Sequence, residues 1–268
     1  MQKKTVLVII LTALIFLSAG VLGVSTVYRV NEVTVRAATL SSEAETEAEQ
    51  LKEKLQQAYE KESIFFVDET VAETVFADFP YFRLISVEKI YPNRLIFNVS
   101  EDEEVYAIPT QTGDKYYILN AEGTILSIRD DYVNRKETDQ NAKNLLISGV
   151  LVEGEKGGKL TGEDLSYLFS FCQKTDELLG GIRQNVVSVE LVKGGSSLST
   201  FVLKMKMVEG ITLYVRNPAS MTAEKAEKAI HAYLNLPDGS HAKGMLAVYE
   251  QDGNVATRYS PTDDFAEN

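Results

Sequence analysis

Apolar and polar positions follow several different spacings along this chain, and each spacing predicts its own element. From Thr5 to Tyr28 there is no charge at all. The apolar part, ending at Val24, is about 20 residues, so a helix there would reach about 30 Å, the thickness of a bilayer's hydrocarbon core. The run predicts a transmembrane helix over 5–28. A cleaved secretory signal is the rival reading, because Lys3 and Lys4 precede the run and the small residues Ser18, Ala19, Gly20 and Gly23 lie toward its end. Signal cores are usually shorter, about 7–15 residues, which favours a retained signal anchor. With Lys3 and Lys4 ahead of the span, the amino terminus is expected in the cytoplasm and the bulk of the chain outside.

Beyond the run, Val33 and Val35 alternate with charged or hydroxyl residues, the period-2 mark of a short strand. Ser42 and Glu45 form a capping-box signal, followed by Ala44, Ala48, Leu51, Leu55 and Ala58 at steps of three and four, an amphipathic helix. A second helix is expected from about Asp68 until shortly before Pro80, with Val71, Ala72, Val75 and Phe76 on one side. Ile85 and Val87 alternate, Tyr91-Pro92-Asn93-Arg94 turns the chain, and Leu95, Phe97 and Val99 alternate again. The predicted order is strand, helix, helix, strand, strand.

After a boundary near Asp102, Tyr116 to Leu119 reads as a strand and Asn120 to Gly123 as its turn. Arg129 to Asn144 is polar and predicts a surface loop. A helix is expected over about Gly162 to Leu179. Alternating strands follow at Val187 to Leu191, Phe201 to Met207 and Ile211 to Val215. A further helix over about Thr222 to Leu236 carries Ala226, Ala229, Ile230, Tyr233 and Leu234 on one face. Leu246 and Val248 mark another strand, Asp252-Gly253 is a strong hairpin turn, and Asn254 to Tyr259 forms a polar last strand before Pro261.

Composition narrows the function. The net charge of −12 leaves little concentrated Lys and Arg for phosphate, so nucleic acid is not an expected partner. The single cysteine, Cys172, falls on the apolar side of its helix and reads as packing. Only His231 and His241 are available for histidine chemistry, and neither sits in an HExxH or triad context. Gly194-Gly195-Ser196-Ser197 lacks the GxSxG form. Asp130-Asp131 and Asp263-Asp264 are adjacent loop carboxylates, and Glu153 to Gly158 lacks the closing Lys-Ser/Thr of a phosphate loop, so it reads as a flexible loop. Asn98-Val99-Ser100 matches a glycosylation acceptor but falls inside a predicted strand. No catalytic, cofactor or metal residues are expected.

Three longer words, Ile64 to Asp68 (IFFVD), Phe79 to Phe82 (FPYF) and Val87 to Glu101 (VEKIYPNRLIFNVSE), follow an apolar run in an order that resembles the FtsQ/DivIB family of bacterial cell-division proteins. Tyr116 to Gly123 is similar to the strand and acidic-glycine turn that open that family's second domain, and Leu145 to Gly149 is similar to its short apolar step ending in glycine. The resemblance implies an α+β chain: a cytoplasmic tail (1–4), a single N-terminal transmembrane helix (5–28), a POTRA-like βααββ domain (29–101), a mixed β domain with flanking helices (102–261) and a flexible tail (262–268). It also implies a single-pass protein of the bacterial cell membrane and division septum. Its function would be that of a bitopic, non-enzymatic scaffold binding FtsL-like and FtsB/DivIC-like proteins, with the lipid bilayer holding its N-terminal helix. Strand addition at the C-terminal edge is the expected mode of binding, with Val255, Thr257 and Tyr259 as alternate side chains toward the partner. The family's pattern is not matched at Ala37, Val105-Tyr106-Ala107 and Arg216-Asn217. Alternative readings are a membrane-anchored extracellular enzyme and a POTRA-bearing transport component.

Overall fold

The computed structural model describes residues 11, 12, 14, 26–38, 40–136, 142–194 and 201–262. Among these residues no helix is long and apolar enough to cross a membrane. This corrects the expected single N-terminal transmembrane helix, and with it the single-pass topology and the location at a bacterial cell membrane. Within 5–28 only Leu11, Thr12, Leu14 and Thr26 to Tyr28 are described; the rest of that expected span, like the tail beyond Thr262, lies outside the described residues. The longest described helix, Ser42–Tyr59, has 18 residues but carries Glu43, Glu45, Glu47, Glu49, Lys52, Glu53 and Lys54, charges that hydrocarbon would not tolerate.

The chain divides into two compact units, Met1–Asp102 and Glu103–Asn268. In the first, β1 (Glu32–Arg36) is followed by α1 (Ser42–Tyr59), a 3-10 turn (Ile64–Phe66), α2 (Glu69–Phe76), β2 (Phe82–Ile90) and β3 (Arg94–Glu101). The sheet order is β1-β3-β2, with β1 parallel and β2 antiparallel to β3. Leu51, Leu55 and Tyr59 of α1 are completely buried, as are Leu95 and Phe97 of β3. The Tyr59 ring lies 5.7 Å from Phe97, and its hydroxyl donates to the carbonyl of Asp68 at 2.6 Å, so the aromatic body packs while the polar tip is satisfied. Burial pushes that phenol up to about 12.

Two local expectations shift. The N-cap of α1 is Ser41, whose Oγ accepts from the Ala44 N–H at 3.2 Å, one residue earlier than the capping-box reading. Ser41 itself is held from outside the helix, its N–H and hydroxyl both donating to the Glu101 carboxylate. Ile85, expected on the apolar face of its strand, is 66% exposed. A register shift between Leu84 and Ser86 throws it outward, because a bulge displaces the period-2 alternation by one residue.

The second unit contains β4 (Tyr106–Pro109), β5 (Tyr116–Leu119), β6 (Ile125–Arg129), β7 (Leu145–Ser148), β8 (Val152–Glu153), β9 (Thr161–Gly162), α3 (Ser166–Leu179), α4 (Ile182–Asn185), β10 (Val186–Lys193), β11 (Phe201–Met207), β12 (Thr212–Arg216), α5 (Thr222–Leu234), β13 (Met245–Gln251) and β14 (Asn254–Ser260). Nine strands form one sheet in the order β14-β13-β12-β11-β10-β7-β4-β5-β6. Parallel neighbours need a crossover: α3 supplies it between β7 and β10 and α5 between β12 and β13, while the third parallel pair, β4 and β7, is joined through β5 and β6. Leu168, Phe171 and Cys172 of α3 and Ala226, Ala229, Ile230 and Tyr233 of α5 join one buried cluster with Leu203, Met205, Leu213, Val215, Leu246 and Val248. Both helices therefore cover the same face of the sheet. Leu234, expected on the buried side of α5, is 54% exposed, and Lys225 takes a core position instead.

Gly149 closes β7 with φ +78°, and a Cβ there would meet the Leu191 carbonyl oxygen at 1.9 Å. Only glycine allows β7 and β10 to approach at this turn. The stretch 129–144, expected as a surface loop, keeps Asp130, Lys136 and Lys143 exposed but turns two of its described residues inward. Arg129 ends β6, and Asn134 and Asn144 are each only 2% exposed. Both side-chain amides turn in toward Glu104: Asn144 Nδ2 donates to its buried carboxylate, which needs several donors at once, and Asn134 Nδ2 donates to its backbone carbonyl, each at 2.9 Å.

Candidate functional site

A nine-stranded open sheet has two edges, and in this unit they are treated differently. At β6 the chain covers the start of its own edge: the Ile125 N–H donates to the Gly158 carbonyl at 2.9 Å, the Gly157 N–H donates to the Ile125 carbonyl at 2.8 Å, and Thr124 bridges Lys159. The glycine-containing stretch around Glu153 to Gly158, expected as a flexible loop, is thus an edge cover. At β14 no described strand or loop does the same.

The turn between β13 and β14 fixes which backbone groups are left over. Asp252 and Gly253 have φ of +52° and +76°, the geometry of a two-residue hairpin loop, and Gln251 pairs with Asn254 across it. The flanking pair of such a loop is hydrogen-bonded, and antiparallel pairs alternate, so Ala256 with Tyr249, Arg258 with Ala247 and Ser260 with Met245 also exchange backbone bonds. Val255, Thr257 and Tyr259 then direct their N–H and C=O groups away from β13, toward the bare edge. These are the three residues singled out from sequence.

Their side chains lie elsewhere. Thr257 stands opposite Val248 and Tyr259 opposite Leu246, both members of the helix-side cluster. Val255 is 8% exposed within that cluster, Tyr259 is half-buried against it, and Thr257 is exposed. The triplet accordingly offers main-chain groups along the edge while its side chains flank α5.

The hairpin is clamped at both ends. Lys225 of α5, completely buried, donates through Nζ to the carbonyls of Arg216 at 3.0 Å and Asn217 at 2.7 Å and to Glu250 Oε1 at 2.5 Å. Hydrogen bonds from Lys225 first, and then Ser220, hold the Glu250 carboxyl below its ordinary range. At the far end the Tyr259 hydroxyl donates to the Lys243 carbonyl at 3.3 Å. Sequence reading missed Lys225; the one available signal was a cation adjacent to Ala226, on the inward side of an amphipathic helix.

The residues weighed for chemistry are dispersed. Cys172 is fully buried, and burial together with Asp176 pushes its thiol up to about 12. His231 lies exposed on α5, 3.7 Å from Glu227. His241 Nδ1 lies 2.9 Å from Glu209, which also accepts from the Tyr233 hydroxyl. Asp131 caps the Val133 N–H and pairs with Arg135 at 2.8 Å. Asn98 lies in β3 and donates to Ser86 and Glu88. Ser196, Ser197, Asp263 and Asp264 fall outside the described residues. Among the described residues no group of three or more His, Cys, Asp or Glu could hold a metal ion.

No protein-family model matches the chain, and comparison with curated proteins finds no match.

Proposed function

We propose that this protein is a non-enzymatic scaffold that recruits a partner polypeptide by strand addition to β14. The observation that carries this reading is the asymmetry of the sheet edges: β6 is covered at its start, at Ile125, by its own chain, whereas β14 leaves the N–H and C=O groups of Val255, Thr257 and Tyr259 without a covering strand among the described residues. A bare edge is an aggregation hazard unless something occupies it. An added strand would gain affinity from main-chain hydrogen bonds and selectivity from its alternate side chains. The resemblance to the FtsQ/DivIB family supports a place in bacterial cell division, with FtsL-like and FtsB/DivIC-like proteins as partners.

Two proline substitutions test the mode of binding. Thr257→Pro removes an outward N–H and no bond to β13, whereas Ala256→Pro removes an inward one. Co-purification with division proteins should be lost in Thr257→Pro while its unfolding free energy stays within about 1 kcal/mol of wild type. A folded Thr257→Pro protein that retains its partners at the wild-type level would refute strand addition.

A further inference from the structure

The second face of the nine-stranded sheet carries a feature that strand addition does not use. Opposite the helices, one row across the sheet reads Arg258, Ala247, Tyr214, Lys204 and Glu190, joined by successive strand pairings from β14 to β10. The neighbouring rows place Lys206 beside Thr212 and Arg216 beside Val202. Tyr249 lies two residues from Ala247 on β13, on the same face. None of these residues belongs to the cluster shared with α3 and α5.

The floor of this face is apolar and closed: Ala247 is completely buried, Val202 is 5% exposed and Met245 6%. Its rim is cationic. Lys204, Lys206, Arg216 and Arg258 stand around Tyr214 and Tyr249, and the acid among them, Glu190, is 3.9 Å from Lys204. In a chain of net charge −12 such a concentration of one sign runs against the average surface. A short-range positive field above an apolar floor and two phenol rings favours carboxylates attached to a chain that can also bury apolar atoms.

We infer that the face of β10–β14 opposite α3 and α5 docks an acidic polypeptide segment, laid across the sheet with its carboxylates over Lys204, Lys206 and Arg216. This surface is separate from the β14 edge, since β11 is three strands inside it. Tyr214 and Tyr249 contribute aromatic area beside the floor, so the segment fits best when it alternates acidic and apolar residues.

Fluorescence anisotropy of labelled poly-L-glutamate with the full chain tests the inference. Lys204→Glu/Lys206→Glu is compared with Lys52→Glu/Lys61→Glu, an equal charge change on the first unit. Binding should weaken about tenfold or more in the first variant and little in the second, and should fall for the wild type between about 50 and 300 mM salt. Lys204→Thr/Lys206→Thr, with strand-forming side chains, replaces the reversed pair if circular dichroism shows misfolding. Equal affinity of the wild type and the β11 variants overturns the proposal. So does preferential capture of heparin or of phosphatidylglycerol vesicles through the same lysines, which would assign the face to another polyanion. Neither outcome bears on the proline test of the edge.

Discussion

Glu104 offers the sharpest test of how the second unit is held together. Its carboxylate accepts from Arg129 Nη1 at 2.9 Å and Nη2 at 2.7 Å, from Asn144 Nδ2 at 2.9 Å and from the Arg135 N–H at 3.3 Å. The Glu104 side chain is 3% exposed and that of Arg129 12%. Removing one member of a buried pair leaves the other desolvated and uncompensated, at about 3–5 kcal/mol. Here Arg129 keeps the Val133 carbonyl at 2.6 Å and Asp131 at 3.7 Å, so Glu104→Ala is expected to cost about 2–4 kcal/mol. Arg129→Met should cost a similar amount, because it strands the carboxylate. The double variant removes both charges and should fall short of the summed single effects by about 2 kcal/mol. Urea unfolding followed by far-ultraviolet circular dichroism gives the free energies, and hydrogen exchange in peptides from β4, β6 and β7 assigns the loss to this unit. Additivity within about 0.5 kcal/mol would show that the pair is not coupled and would refute the reasoning.

Other expectations follow from the same geometry. Lys225→Met leaves the Arg216 and Asn217 carbonyls without their buried donor and should destabilise by about 1–3 kcal/mol in urea unfolding, with faster exchange at the β13–β14 hairpin. Glu250 has a folded pKa depressed below its ordinary 4.5, so its contribution is present above that value and is lost as pH falls through the folded one. Between about pH 6 and pH 3 the wild type should therefore lose more stability than Glu250→Gln, and equal losses would count against the clamp. Gly149→Ala must relieve both a positive φ and a Cβ 1.9 Å from the Leu191 oxygen; a loss of about 2–4 kcal/mol is expected, and a neutral substitution would mean that β7 and β10 are not in this register. Cys172 should resist thiol-specific reagents in the folded protein and react only at the rate of unfolding, since burial keeps it protonated; rapid labelling of native protein would contradict the packing.

Local patterns were readable wherever one face of an element meets a core. Val33, the alternations at Leu95 to Val99 and at Met205 to Met207, and the spacing of Leu51, Leu55 and Ala229, Ile230, Tyr233 correspond to buried faces, because the period of the backbone dictates which side chains share a side, while Val35 is only half-buried. The Asp252-Gly253 turn was readable for a similar reason: two successive positive φ values leave few residue choices. Where a bulge intervened, as at Ile85, the same rule misplaced a side chain.

The apolar run over 5–28 was readable as hydrophobic, but hydrophobicity alone did not decide its structural role; no described helix meets the length and apolarity that crossing requires. Nor could spacing reveal that polar residues from 104, 129, 134 and 144 converge, since strand order, unlike strand existence, depends on contacts far apart in the chain. The same holds for the two edges. Sequence placed a polar strand at Asn254 to Tyr259, and the hairpin parity already determined which of its backbone groups point outward. Only the tertiary structure decided that, among the described residues, β14 ends the sheet without a neighbouring strand while a distant glycine loop covers the start of β6, because edge coverage is a long-range pairing that no local period encodes.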